Sequence, residues 1–474
     1  MRRTILWGLS VMFVGGCGGG GSTGTGGKGG SSVGGTGGGV AGTTGTAGTG
    51  TAGTAGTGTG GAAGTSSGGT SSGGTAGGGG AGGTGGTGPR MVTLQTLDGF
   101  AFAAYQDGDG AWQSFAGGVG ANFTFAVTGE RYGVAYGCLN VANDNIGITV
   151  IQATVAETTR VTAGCGGLST AAPVTIMGTI AGLSSTQTAQ VDIGSKSAAP
   201  TAAAPTFSIS LPPGTFDLFA RRMTAAPVWD RMIRRNGVTV TMGATFNLDF
   251  ATDGFAPETH TITFQNVSAT ETTGVLVIFR NTLGGSPFGL GSPAAGSFYA
   301  IPATQLRTGD YHSIVASASD PATGGRRVRR IAIGATDFTA TMPPMIAAPV
   351  LGVGATTPYV RPRASIPTGL TADRYDLGYT QSETAPARTR SWSLQLTRGW
   401  ITSAAATEYT VPDLSAVTVW QTWWGLAVAL STNWQQFSQT SNGGVADLLR
   451  ADQTAAELDG REYKITQRDG TVTF

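Results

Sequence analysis

Two imidazoles, His260 and His312, are the only side chains in the 474 residues whose ordinary pKa suits general-base work near neutral pH. Neither sits in a recognisable nucleophile context, so each reads as a surface or internally satisfied polar residue. Asp107 and Asp109 could offer carboxylates to calcium, but no third acid or bidentate Glu follows at loop spacing. Asp107-Gly108-Asp109-Gly110 therefore reads as a turn. Asp373 and Asp376 are the residue type that glycosidases pair, although nothing in the sequence sets their separation. Two cysteines, Cys138 and Cys165, and two histidines far apart, without C-x-x-C or H-x-x-x-H spacing, argue against zinc, and no cofactor is expected. Gly64-x-Ser66-x-Gly68 matches a hydrolase nucleophile elbow in letters alone, because its surroundings cannot supply the strand-to-helix turn. The pattern makes no case for catalysis; an envelope hydrolase is a distant alternative.

Tryptophan placement is the most suggestive binding feature. Six of the nine tryptophans fall between positions 392 and 434. On a strand expected over 420–430, Trp424, Leu426, Val428 and Leu430 share one face, and Trp423 lies on the other with Gly425, Ala427 and Ala429. The first face reads as core. Trp423 among small residues could expose a platform that stacks a sugar ring or anchors a protein partner, unless another strand, loop or domain covers it. The formal net charge is +1, and 25 of the 28 basic residues are Arg, scattered more than massed. Nucleic acid is not an expected partner, since a binding face would need a clear basic excess. The one dense cluster, Arg326, Arg327, Arg329 and Arg330 after Gly324-Gly325, reads most simply as the solvated start of a strand, with an anion-binding patch as the alternative.

These residues depend on elements of two unlike regions. Residues 18–88 hold almost nothing but Gly, Thr, Ser and Ala, with one charge at Lys28. Such a segment cannot bury enough apolar surface to offset chain entropy and is expected to be a disordered tether. As a flexible coil of about 70 residues it would span roughly 45 to 50 Å. From Pro89 onward, period-two alternation dominates and long helical periodicity is nearly absent, so the head is expected to be all-β, a series of antiparallel β-sandwich domains.

Four β blocks are expected, at 89–171, 172–254, 255–344 and 345–474. In the first, Phe123, Phe125 and Val127 alternate with polar or small residues, and Tyr132, Val134, Tyr136 and Cys138 share a face; Ile146, Ile148 and Val150 form another inward set. In the second, Val174 to Leu183 and Phe207 to Leu211 lead to Pro212-Pro213-Gly214-Thr215-Phe216-Asp217-Leu218. Pro213 presets a turn, Gly214 allows a positive φ, and Phe216 and Leu218 return to the core. These residues resemble the carboxypeptidase regulatory-like, transthyretin-like sandwich over about 80 residues, which implies a structural module without catalytic residues. In the last block, Glu408 to Leu414 resembles a fibronectin type III strand, and 445–458 is expected to hold a short helix before the closing strands.

The N-terminus indicates location. Arg2 and Arg3 form a positive region, Ile5 to Val14 an apolar one too short to span a bilayer, and Val14-Gly15-Gly16 place small residues before Cys17. This resembles a bacterial lipoprotein signal, which implies removal of residues 1–16 and lipidation of Cys17. Gly18 carries no Asp-type retention signal, so the resemblance favours the outer membrane or cell surface. With Cys17 lipidated, Cys138 and Cys165 are the only pair in an exported chain and are expected to form a disulfide. The expectation is a non-enzymatic, lipid-anchored envelope protein that displays β-sandwich modules for structural, adhesive or ligand-binding work, with a membrane contact through its lipid and an envelope polysaccharide or protein as partner. The alternative is a carbohydrate-binding surface module using exposed aromatics.

Overall fold

The computed structural model describes residues 88–474 except 97–99, 116–121, 141–143, 166–170, 226–227, 282–287, 368 and 370. The expected signal segment, Cys17 and the Gly/Thr-rich segment expected to be a tether, up to residue 87, therefore lie outside the described residues. The head is all-β, built mostly of antiparallel strand pairs, with three short helices among the described residues. None of these helices is long and apolar enough to cross a membrane.

The chain repeats one arrangement. The first module contains β1 (Arg90–Thr96), β2 (Phe102–Asp107), β3 (Gln113–Ser114), β4 (Phe123–Val127), β5 (Arg131–Asn140), β6 (Asn145–Thr154) and β7 (Arg160–Ala163). The second contains β8 (Val174–Ala181), β9 (Thr188–Ile193), β10 (Lys196–Ala198), β11 (Thr206–Leu211), β12 (Gly214–Ala225), β13 (Val228–Val240) and β14 (Thr245–Asp249). The third contains β15 (Glu258–Gln265), β16 (Thr272–Arg280), β17 (Phe288–Gly289), β18 (Ser297–Ala300), β19 (Tyr311–Asp320), β20 (Gly324–Ala332) and β21 (Phe338–Thr341). In all three, the fourth, first and seventh strands form one sheet, and the third, second, fifth and sixth form the other. The first strand pairs antiparallel with the fourth and parallel with the seventh each time.

The fourth module varies this plan. It contains β22 (Leu351–Ala355), β23 (Arg361–Ser365), β24 (Arg374–Thr384), β25 (Ala387–Thr397), β26 (Glu408–Thr410), β27 (Ser431–Ser441) and β28 (Glu462–Thr473). Strands β23 to β28 take the first six positions, and β22 occupies the seventh, antiparallel instead of parallel to its neighbour.

Alternation explains the three-stranded sheets. β4 buries Phe123, Phe125 and Val127 and exposes the residues between them, and β11 does the same with Phe207, Ile209 and Leu211. The four-stranded sheets behave differently, because three of them join edge to edge into one twelve-stranded sheet. The sixth strands of modules three and four pair antiparallel, β20 with β28. The third strand of module four pairs parallel with the sixth of module one, β25 with β6 over eight residue pairs from Thr389/Asn145 to Leu396/Gln152. Backbone hydrogen bonds thus run without a break through three modules, in place of the separate, serial sheets expected from the sequence.

The cores follow from this joining. Tyr132, Val134, Tyr136 and Cys138 pack with Val92, Leu94, Phe123 and Phe125 inside module one. Ile146, Ile148 and Val150 do not join them. Residues directly opposite in an antiparallel pair share a face, and Ile148 lies opposite Gly137 and Val150 opposite Ala135, so these three point to the far side and enter the core of module four with Phe102 and Ala104. β5 is consequently buried without interruption from Tyr132 to Cys138, the signature of a strand covered on both faces. Module two is likewise seated on module three: Phe219, Trp229 and Met232, on the outer face of its four-stranded sheet, pack with Phe279, Phe288 and Tyr299. At this boundary the buried Arg234 pairs with Asp217 at 2.7 Å and Asp310 at 2.6 Å.

The disulfide between Cys138 and Cys165 is present, tying β5 to the chain just beyond β7, with Cα atoms 5.2 Å apart. In the second module Leu218 is fully buried and Phe216 partly so, and Gly214 has the positive φ expected of it, at 159°. Two short helices, α2 (Val445–Leu449) and α3 (Ala455–Leu458), replace the single one expected over 445–458. Thr454 and Glu457 form a reciprocal capping box on α3, which begins the second helix afresh.

Candidate functional site

The tryptophan-rich segment between β26 and β27 is no strand. It is a loop with a 3-10 turn at Thr422–Trp424, entered through Val419 at φ 66° and left through Ala429 at φ 60°. Both are left-handed conformations that non-glycine residues adopt rarely, and they interrupt the extended geometry that the alternating pattern implied. Val428, expected in the core, is 60% exposed, as is Val419 at 61%.

Trp424 and Leu426 are the buried anchors of the loop. The Trp424 ring stacks on Phe102 of module one with centroids 5.5 Å apart, and Trp420 stacks on Tyr359 at 5.4 Å. Polar groups hold the backbone: Trp392 Nε1 donates to the Trp424 carbonyl at 3.1 Å, Arg390 to the Gly425 carbonyl at 2.7 Å, and Gln381 both donates to the Ala427 carbonyl and accepts from its amide. Thr418 N donates to Ser114 Oγ of module one at 2.7 Å. Tyr359 accepts from Leu414 N and donates to the Pro412 carbonyl, and burial pushes its phenol pKa up, which keeps it a donor. Gly425 is required by contact, because a Cβ there would lie 2.4 Å from Tyr359. The loop seals modules one and four together.

Trp423 lies at the rim of this seal and is half-buried. Its Nε1 donates to Gln421 Oε1 at 2.6 Å, and the Arg388 guanidinium sits 5.1 Å from its ring centroid, a cation–π arrangement. Trp424 meets it edge-on at 6.3 Å. Trp423 thus presents part of an aromatic ring beside a cation, instead of a bare platform. Arg388 is the partner that sequence reasoning missed, since it lies 35 positions away on β25.

The other candidate groups do not converge. His312 is fully buried, donating from Nδ1 to the Ile333 carbonyl at 2.9 Å and accepting from Ile301 N at Nε2; burial holds its pKa below the usual histidine value. His260 sits on β15, 3.4 Å from Glu258 and 3.6 Å from Asp337. Asp107 accepts from the backbone and hydroxyl of Thr128, and Asp109 pairs with Arg131, so both serve a turn. Asp376 is buried against Arg374 at 2.9 Å, with burial raising its pKa against the lowering effect of that arginine, whereas Asp373 accepts from Ser441 N. No three His, Cys, Asp or Glu side chains gather at a metal-holding distance among the described residues.

A groove of about 610 Å³ between modules one and four is lined by Arg90, Glu157, Asp373, Arg398 and Gly399 among others. One of its carboxylates, Glu157, accepts from Thr154 N, Gly399 N and the hydroxyls of Thr154 and Thr397. That set of donors marks a structural link to α1 (Arg398–Ser403).

The arginine run is not a solvated strand start. β20 lies inside the large sheet, and Arg326 is buried, bonded to Glu271 and to the carbonyls of Pro343 and Asn266. No protein-family model matches this chain, and no curated protein matches it by sequence.

Proposed function

We propose that this chain is a non-enzymatic, lipid-anchored protein of a bacterial envelope, one that displays a stiff multi-module β head for adhesive or ligand-binding work. The observation that carries the reading is the twelve-stranded sheet through modules one, three and four, which makes the head a single load-sharing body instead of beads on a string. Supporting it, Asp107, Glu157, Asp376 and His312 are each engaged in a turn, a cap, an ion pair or a core. The lipobox-like residues before Cys17 and the Gly/Thr-rich run after it fit an anchor and spacer that hold such a head away from a membrane, at the outer membrane or cell surface. Metabolic labelling with a lipid precursor tests the anchor: label on the wild type and none on Cys17→Ala is expected, and an unlabelled wild type refutes it.

A second reading, carbohydrate binding at the tryptophan rim, is favoured by the half-exposed Trp423 ring with Arg388 beside it. A glycan array with Trp423→Ala as control tests it. Absence of binding, or binding that Trp423→Ala leaves intact, removes that site.

A further inference from the structure

We propose that the face of the large sheet carrying Arg327 and Arg329 binds an acidic polysaccharide through its carboxylates. The inference goes beyond the display role and depends neither on the lipid nor on Trp423.

β20 sends alternate side chains to opposite faces. Arg326 and Val328 turn toward the core of module three, and Arg327, Arg329 and Ile331 turn away from it, the two arginines being roughly 7 Å apart along the strand. The contrast between the faces is chemical. Arg326 has the Glu271 carboxylate. Among the described residues, no acidic group lies within ion-pair distance of Arg327 or Arg329. Arg329 Nε donates to Ser313 Oγ at 3.0 Å, with its guanidinium 5.3 Å from the Tyr463 ring, and Arg327 donates to Gln467 Oε1. Both arginines are half-buried, and the loss of water lowers their pKa with no carboxylate to offset it.

Two guanidiniums held on a sheet by neutral partners create a field that an anion relieves, and their planar forks match carboxylates bidentately. The surroundings favour a sugar polymer over a compact anion. By register, the same face carries Leu276, Val315 and Ile465 as an apolar floor, Ser317, Gln467 and Gln435 as uncharged hydrogen-bonding groups, and a carboxylate, Asp469, opposite Gln435. Gly274, Gly325 and Gly378 also fall on it and leave the backbone low, so an extended chain could lie across several strands. Hydroxyls meet amides, ring C–H faces meet the aliphatic floor, and each of two acidic groups meets a guanidinium.

The test measures binding of the full chain to polygalacturonate, to its fully methyl-esterified form and to polyphosphate, at low and high salt. Salt-sensitive binding to polygalacturonate and none to the ester is expected, with affinity falling about tenfold or more in R327Q/R329Q, as loss of charge-assisted hydrogen bonds implies. Trp423→Ala should leave this binding unchanged, which separates it from the tryptophan rim. R327K/R329K keeps the charge without the fork and should bind more weakly than wild type while melting at the same temperature; it decides the matter if the glutamine variant does not fold. No binding to polygalacturonate, equal binding to the ester, polyphosphate bound in preference, or affinity unchanged in the folded variants overturns the proposal.

Discussion

Replacing Arg234 by Met should destabilise the head by about 3 kcal/mol or somewhat more at neutral pH. Arg234, Asp217 and Asp310 have side chains only 2%, 1% and 1% exposed, so removal of the cation leaves two carboxylates with no access to water. Breaking a buried pair from one side costs about 3 to 5 kcal/mol. The lower end applies because neutral donors remain: Gly237 N and Asn281 Nδ2 on Asp217, and Arg307 N on Asp310. Urea unfolding followed by tryptophan fluorescence suits the measurement, since Trp229 stacks on Tyr299 at the same boundary, 5.6 Å between centroids. A deficit below about 1 kcal/mol at pH 7 would refute the reasoning that this triad is a buried, mutually neutralising joint.

Replacing both Cys138 and Cys165 by Ser, which opens a loop with a sequence separation of 27, should lower stability by roughly 3 to 4 kcal/mol in thermal or urea unfolding. Trp424→Ala should cost about 3 to 5 kcal/mol and open the boundary of modules one and four to limited proteolysis, because the ring fills the space against Phe102. His312 gives a pH signature: burial depresses its folded pKa, so its contribution is complete above about pH 6.5 and is lost as pH falls below that value. His312→Gln should flatten this part of the wild-type stability profile, and an unchanged profile contradicts the assignment.

Local alternation made the three-stranded sheets legible, as in β4, where the buried residues are those the sequence pattern picks out. Sheet joining was not legible, because β6 meets β25 more than two hundred residues later and edge pairing uses backbone groups that leave no local signature. One indirect signal existed. Gly133 and Gly137 alternate with large residues in β5, and a Cβ at either would strike Trp112 or Phe102 on the face away from the disulfide. The tryptophan loop misled for the opposite reason. Trp424, Leu426, Val428 and Leu430 alternate like a strand, yet left-handed turns at Val419 and Ala429 break it, and neither residue type announces such a turn. The arginines of β20 were visible as a cluster, but only strand pairing separates Arg326, neutralised by Glu271, from Arg327 and Arg329 on the other face.

Amide hydrogen exchange across the two inter-module seams tests the single-body head most directly. The account predicts that the paired amides of Asn145 to Gln152 with Thr389 to Leu396, and of Gly325 to Arg330 with Glu462 to Gln467, are protected as strongly as those between β24 and β27 inside module four. Rapid exchange confined to those seams, with the interior strands still protected, would mean that the modules move independently and would contradict it.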